Sequence, residues 1–451
     1  MQQYIDFFKE NQGLIEQSCS PLLNARREEA FDAFSGLLCS ARNDETLGFS
    51  AYKSEDYQHT NIAEWLSLDF GFYFDQSLFS DETGRIFRCN IPNLNSYHHF
   101  LINGFYREGR DNPVLPKGVF SGSLNQFAEK YPELFSHYYG QLAESQKDGL
   151  TAFNTMFVQD GYVLYIPKNT VLENPVQVTN IANGKTDSLV NRRILIILES
   201  GAQAKLLFCD HSAEEKVKFA STQVSEIYLG ENAVLDFYEL EETTPDTVRL
   251  SSNFISQSAS SNFLLNSICL SNGKTRNNYT VDLEGKYAET KLLGIAIADK
   301  QQKIDNYSLI NHKVSHCHSD ELFKYILDDE SVGAFSGRII VAQDAQKTIA
   351  YQNNRNLCVS LNSRMFSKPQ LEIYADDVKC SHGMTTGQLD ENALFYMRSR
   401  GISEEEARYL LKLAFTMDVL DEIRVESLKE RLKRLIEKRF RGELITCQGC
   451  L

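Results

Sequence analysis

Tryptophan is nearly absent from this chain, one in 451 residues, and proline occurs only nine times. So little proline excludes a collagen-like or proline-rich extended architecture. Basic residues are short as well, 46 Lys and Arg against 61 Asp and Glu, for a formal charge of −15. Clustered Lys and Arg are what grip a phosphate backbone, so nucleic acid is excluded as the main partner. Apolar runs such as 194–198 fall far short of the ~20 residues of a membrane span. The opening MQQYIDFFKENQG has no basic stretch followed by an apolar one, so neither a secretory signal nor a membrane location is expected. Ten cysteines are scattered without regular spacing. In a chain with no secretory signal that pattern means reduced thiols, and a cytoplasmic location is expected.

Familiar catalytic signatures are missing too. Gly184-Lys-Thr186 and Gly273-Lys-Thr275 resemble the end of a phosphate loop, but Thr179 and Ile268 stand where its first glycine is required. Without that glycine the backbone amides cannot wrap a phosphate, so this chain is expected to bind no nucleotide. Any ATP would belong to another chain. There is no Gly-x-Ser-x-Gly elbow and no His-Glu-x-x-His helix, and the chain is not expected to be an enzyme.

What is present is material for a large core: 42% hydrophobic residues, with 28 Phe and 21 Tyr, enough for two or three domains. Residues 1–150 read as helical and loop-rich, with Ala30, Phe31, Phe34, Leu37 and Leu38 at helical spacing after a Ser20-Pro21 start. Residues 151–392 read as short strands with small-residue turns, recurring about every 30 residues. Tyr162-Val-Leu-Tyr-Ile166, Arg193-Ile-Leu-Ile-Ile-Leu198 and Ser225-Glu-Ile-Tyr-Leu229 are examples. Such runs predict the stacked coils of a parallel β-helix, with an ordinary sandwich as the rival. Residues 393–451 return to helix. Ser403-Glu-Glu-Glu406 reads as a capping box, and a second helix has an apolar side from Val425 to Phe440. Its other side is basic: Lys429, Arg431, Lys433, Arg434, Lys438, Arg439 and Arg441. That side reads as a solvated face, or as a docking surface for an acidic or nucleotide-binding partner.

Three constellations can carry chemistry. His312, His316, Cys317 and His318 cluster. On a strand, His316, His318 and Asp320 would share one face and offer weak metal ligands, against the plainer reading of a polar turn. Cys447 and Cys450 supply half of a zinc site, and a tail with two thiols is the plainer reading. The richest segment is Asp376-Asp-Val-Lys-Cys-Ser-His-Gly-Met-Thr-Thr-Gly-Gln-Leu-Asp390. Cys380 and His382, two apart, leave one face of a strand together. A soft thiolate and a borderline imidazole suit iron. Lys379 points the other way and lowers the thiol only weakly. From the residues alone, an inert cysteine beside a hydrogen-bonded histidine stands ahead.

In sequence order, Gln352-Asn-Asn-Arg-Asn-Leu357, Pro369-Gln-Leu-Glu-Ile373, Asp376-Asp-Val-Lys-Cys-Ser-His-Gly383 and Leu394-Phe-Tyr-Met-Arg-Ser-Arg-Gly-Ile402 resemble the SufD branch of the SufB/SufD family. Asp160-Gly-Tyr-Val-Leu-Tyr-Ile-Pro167 is similar to the family's entry into its core. Lys53-Ser-Glu-Asp-Tyr-Gln-His-Thr60 is similar to its N-terminal signature, with Tyr57 where Trp is usual. The resemblance covers nearly the whole chain. It implies a mainly β fold, a right-handed parallel β-helix between N- and C-terminal α-helical regions. It also implies an iron–sulfur cluster assembly scaffold acting with a SufB-like scaffold and a SufC-like ATPase. The family's interface histidine falls on His382 and its companion cysteine on Cys380. A transient iron or iron–sulfur cluster shared with the SufB-like chain follows. Gly383, where SufB has glutamate, favours SufD; Met384 replaces a small residue. The ATPase is implied to dock on Leu394, Phe395, Arg398, Arg400, Leu410, Leu411 and Phe415. A homodimer of the isolated chain stays open. Two alternatives also remain: a stand-alone metal binder using His316 and His318, and a β-helix carbohydrate enzyme using Asp376 and Asp377. The second is weakened because adjacent strand residues face opposite ways.

Overall fold

The computed structural model describes residues 2–41, 57–67, 69–74, 91, 94–109, 112–212 and 217–443. From Gly161–Ile166 to Lys379–Gly387 the chain alternates between two sheets, one strand in each per turn. Neighbouring turns pair in parallel, as Leu198 with Leu229 and His312 with Val341. The result is a parallel β-solenoid of about eight turns, as the repeat of short strands predicts. One parity of each strand fills the interior. Ile194, Ile196 and Leu198 lie beside Ile227 and Leu229 on one sheet, and face Leu206, Phe208, Leu235 and Phe237 on the other. Each such side chain contributes about 1.5–3 kcal/mol by leaving water.

The turns explain the coil's constancy. Gly201, Asn232, Ser260, Tyr287, His316 and Lys347 all have positive φ and occupy one corner of successive turns. There the amides of Gly201, Asn232, Ser260 and His316 donate to carbonyls of the next turn. The left-handed conformation is tolerated in single residues because that stacked hydrogen bond over-determines it.

Some charged groups inside the solenoid are held by opposite charges. Asp210 is flanked by Arg192 and by Arg249, whose Nε lies 2.5 Å from it. Although burial opposes it, the two guanidiniums hold the Asp210 carboxyl down at about 2.

The two ends of the solenoid differ. At the first end, strand Tyr97–Ile102 joins one sheet in parallel and Phe105–Glu108 closes it antiparallel, while Phe120–Ser123 closes the other. These strands lie in a region that reads as helical. They are short, and their identity comes from pairing with the coils rather than from local pattern. Helices Gln2–Gln17, Arg27–Ala41 and Gly149–Phe157 pack an aromatic cluster of Tyr4, Phe8, Phe34, Phe153 and Phe157 against the same end. Ser20 caps the helix that Pro21 begins, as expected.

At the second end, strands Arg364–Ile373 and Lys379–Gly387 each have one neighbour, and their outer edges pair with no strand among the described residues. The chain then turns back as helices. Glu404–Leu420 and Glu426–Phe440 lay Val419, Leu420, Leu428, Leu432 and Ile436 on the outer face of the sheet holding Leu240, Leu270 and Ile295. Lys324, buried in that sheet, donates to the Phe415 carbonyl (2.7 Å) and to Asp418 (2.6 Å). Two expectations for this region are corrected. Ser403 does cap Glu404–Leu420, but Glu406 binds Arg441 instead of reaching back to close a capping box. The basic side of Glu426–Phe440 is partly occupied internally: Arg439 binds Asp299, Lys429 binds Asp421 and Arg441 binds Glu406.

Candidate functional site

Strand Lys379–Gly387 is the last rung of the ten-stranded sheet, and among the described residues its only strand partner is Ile349–Cys358. Cys380 pairs in register with the interior residue Ala350 and packs against the solenoid core. His382 has the same parity and pairs with Gln352, which is fully buried inside the coil. Both side chains thus leave the face that points into the solenoid, about 6.6 Å apart along the strand. No further rung covers them among the described residues, and Cys380 is half-buried while His382 is exposed. The shared face expected from the spacing is present, and it lies at an open end.

Burial pushes the Cys380 thiol up, opposed by a backbone hydrogen bond at Ala350. Cys380 is therefore a thiol at neutral pH, and a soft metal must expel its proton to bind. No group of three His, Cys, Asp or Glu placed to hold a metal ion occurs among the described residues. A thiol and an imidazole are of the types that ligate iron, and two such groups fall short of the four that a tetrahedral ion takes.

Below His382 the same interior column continues with Gln352 and then Glu321, each one coil further in. Gln352 Nε2 donates to Glu321 Oε2 at 2.7 Å. Burial pushes the Glu321 carboxyl up to about 7, opposed by hydrogen bonds from Ser308 and Gln352. A folded-state value above the ordinary 4.5 means that this group's stability contribution is complete below pH 4.5 and is lost as pH rises through 7. Glu321→Gln is expected to stabilise the protein at pH 8 by roughly 2–4 kcal/mol and to have little effect near pH 4.5. Urea unfolding of both proteins at the two pH values checks this.

The other sequence candidates are placed apart. His316 sits in a left-handed turn (φ 65°), not on a strand, so it does not share a strand face with His318, where strand His318–Leu327 begins. The His316 ring packs on Tyr287 and the His318 ring on Tyr351, while His312 is buried against Ser319. Asp376 and Asp377 are exposed in the turn before the last rung, with Asp377 bound to Lys347. Cys447, Cys450 and residues 53–56 lie outside the described residues.

Helix Glu391–Ser399 follows the last rung. Leu394 is buried in a cluster with Ile326, Leu357 and Ala407, against which Leu411 and Phe415 also pack. Leu394 thus serves the intramolecular core, which corrects its place among docking residues. Leu410 is half-buried. Phe395 is 75% exposed, the unexpected Tyr396 is 59% exposed, and Arg398 and Arg400 are exposed beside them. Packing against the solenoid, not helical spacing, decides which side of this helix is covered. Around the open end, Phe366, Ile373, Tyr374 and Met384 are exposed as well, and the His59 ring stacks on Phe366 at 4.0 Å between centroids.

Two family profiles match the chain: SUF system FeS cluster assembly, SufBD core domain, over residues 180–415, and SufBD protein N-terminal region over residues 1–178. Among curated proteins, an iron–sulfur cluster assembly SufBD family protein of Synechocystis is 30% identical, covering 96% of this chain and 95% of its own length. The iron–sulfur cluster assembly protein SufD of Escherichia coli is 31% identical over 59% of this chain and 64% of its own. SufD of Bacillus subtilis is 25% identical over 72% and 75%.

Proposed function

Because this chain belongs to the SufBD family of SUF-system iron–sulfur cluster assembly proteins, we propose that it is a SufD-like scaffold subunit, holding half of a site for iron or a nascent cluster. The observation that carries this is the pairing of Cys380 and His382 on the inward face of a final rung that no further strand covers among the described residues. Two soft or borderline ligands at an open end need two more from elsewhere. An unpaired strand edge is also a template for another chain's strands. A SufB-like scaffold meeting that edge would supply both the missing rung and the missing ligands.

The iron or cluster is cargo, and this chain's part is to orient and hold it. Burial keeps Cys380 protonated until a metal displaces the proton, and His382 offers an imidazole without rearrangement of the strand. Catalysis is no part of that role. A SufC-like ATPase would dock on Phe395, Tyr396, Arg398 and Arg400, a small aromatic and basic patch on Glu391–Ser399. Aromatic and arginine side chains dominate the energetics of such interfaces. The subunit works in the cytoplasm, where Cys380 stays reduced.

Co-expression with SufB-like and SufC-like chains, followed by co-purification, tests the assignment. The three chains are expected to co-purify. Phe395→Asp combined with Tyr396→Asp is expected to weaken retention of the ATPase at least tenfold while keeping the SufB-like chain. A chain that retains neither partner would refute the proposal.

A further inference from the structure

We infer that Gln352, held by Glu321, is the positioning residue for His382: its side-chain carbonyl accepts a ring N–H of His382 and so selects which nitrogen faces the open end. The inference rests on the scaffold assignment above and names how this chain prepares its own ligand.

Four observations converge on it. His382 is paired in register with Gln352, and in a parallel ladder such side chains stack about 4.8 Å apart. Gln352 is fully buried, and its amide nitrogen donates to Glu321 Oε2 at 2.7 Å. With its NH₂ group engaged by Glu321, Gln352 has its Oε1 left for another donor. That Oε1 is buried and has no hydrogen-bond partner among the described residues. Finally, the amide's position is built in. A Cβ added at Gly337 would lie 2.4 Å from Gln352 Nε2, so glycine there makes the space the amide fills. A buried acceptor left open directly beneath an imidazole is the arrangement that fixes a histidine tautomer, as ligating histidines are fixed by the partner of their other nitrogen.

The test uses the full chain labelled with ¹⁵N-histidine, the His382 signals being identified by their loss in His382→Ala. One ring tautomer is expected to dominate in the unsubstituted protein. Gln352→Met, which keeps the volume and removes the acceptor, is expected to shift the tautomer ratio about fivefold, the equilibrium equivalent of one hydrogen bond. Gln352→Glu retains an acceptor oxygen and is expected to keep the tautomer. Ring ¹⁵N shifts that do not move in Gln352→Met overturn the inference. Should that variant fail to fold, Gln352→Leu provides the same test, and ring ¹⁵N shifts of His382 that do not move there overturn the inference. The two ideas fail separately. Unmoved shifts with an inactive His382→Ala remove only the positioning role, whereas normal cluster assembly by His382→Ala removes the scaffold site itself.

Discussion

Replacing His382 by alanine is expected to lower cluster assembly by the three-chain complex at least tenfold while leaving the complex itself intact. Each half of the effect has its own cause. His382 is exposed on a terminal rung, so its loss costs little stability. Surface substitutions away from special features usually stay within about 0.5 kcal/mol. In the proposed half-site, however, it is one of the two ligands assigned to this chain. Even residues that merely orient a metal ligand cost 10–100-fold when removed. Cys380→Ala is expected to have a smaller effect, because burial holds that thiol protonated before metal arrives. Iron and sulfide content of the purified complex, with size-exclusion elution as the control for assembly, provides the readout. A normal cluster content in His382→Ala would contradict the expectation.

The largest effect on stability is expected from Glu226→Ala, about 3–5 kcal/mol. The Glu226 carboxylate is fully buried on the outer face of the nine-stranded sheet. It accepts from the amides of Gly140 (2.8 Å), Leu142 (3.0 Å) and Ala143 (3.2 Å) and from Arg193 Nη2 (2.7 Å). One side chain thereby ties the 139–146 loop to the solenoid. Removing it strands the buried Arg193 charge, whose remaining contacts are Thr155 and the face of Tyr139. An uncompensated buried charge is the costly outcome. Glu226→Gln keeps one acceptor oxygen but turns an NH₂ toward the donors on its other side, and is expected to lose less than Glu226→Ala. Urea unfolding of both variants measures the difference. A loss below about 1 kcal/mol in Glu226→Ala would show that the loop and Arg193 find other partners.

The contrast between these two residues shows what was legible in the sequence. The coil repeat could be read because every turn of the solenoid spends two strands and two corners, and apolar runs mark each strand. The pairing of Cys380 with His382 followed from the two-residue period of a strand and needed no tertiary information. Their exposure did not follow, because it depends on where the stack ends. His316 was misplaced for a related reason. Its backbone is set by the corner column it shares with Tyr287 and Lys347, not by its neighbours in sequence. Leu394 and Phe395 are adjacent on one helix, and only packing against Ile326 and Leu357 decides which is buried. The column from Glu321 through Gln352 to His382 was present as residues one coil apart, one of them opening a family motif. Without the register, a coil of about thirty residues does not reveal which side chains stack.

Iron content of this chain, purified alone and in complex with a SufB-like chain after identical reconstitution, tests the half-site most directly. The account predicts substoichiometric iron on the isolated chain, a cluster in the complex, and loss of that cluster when His382 is replaced by alanine. A full cluster held by the isolated chain, or one retained by the complex without His382, would contradict it.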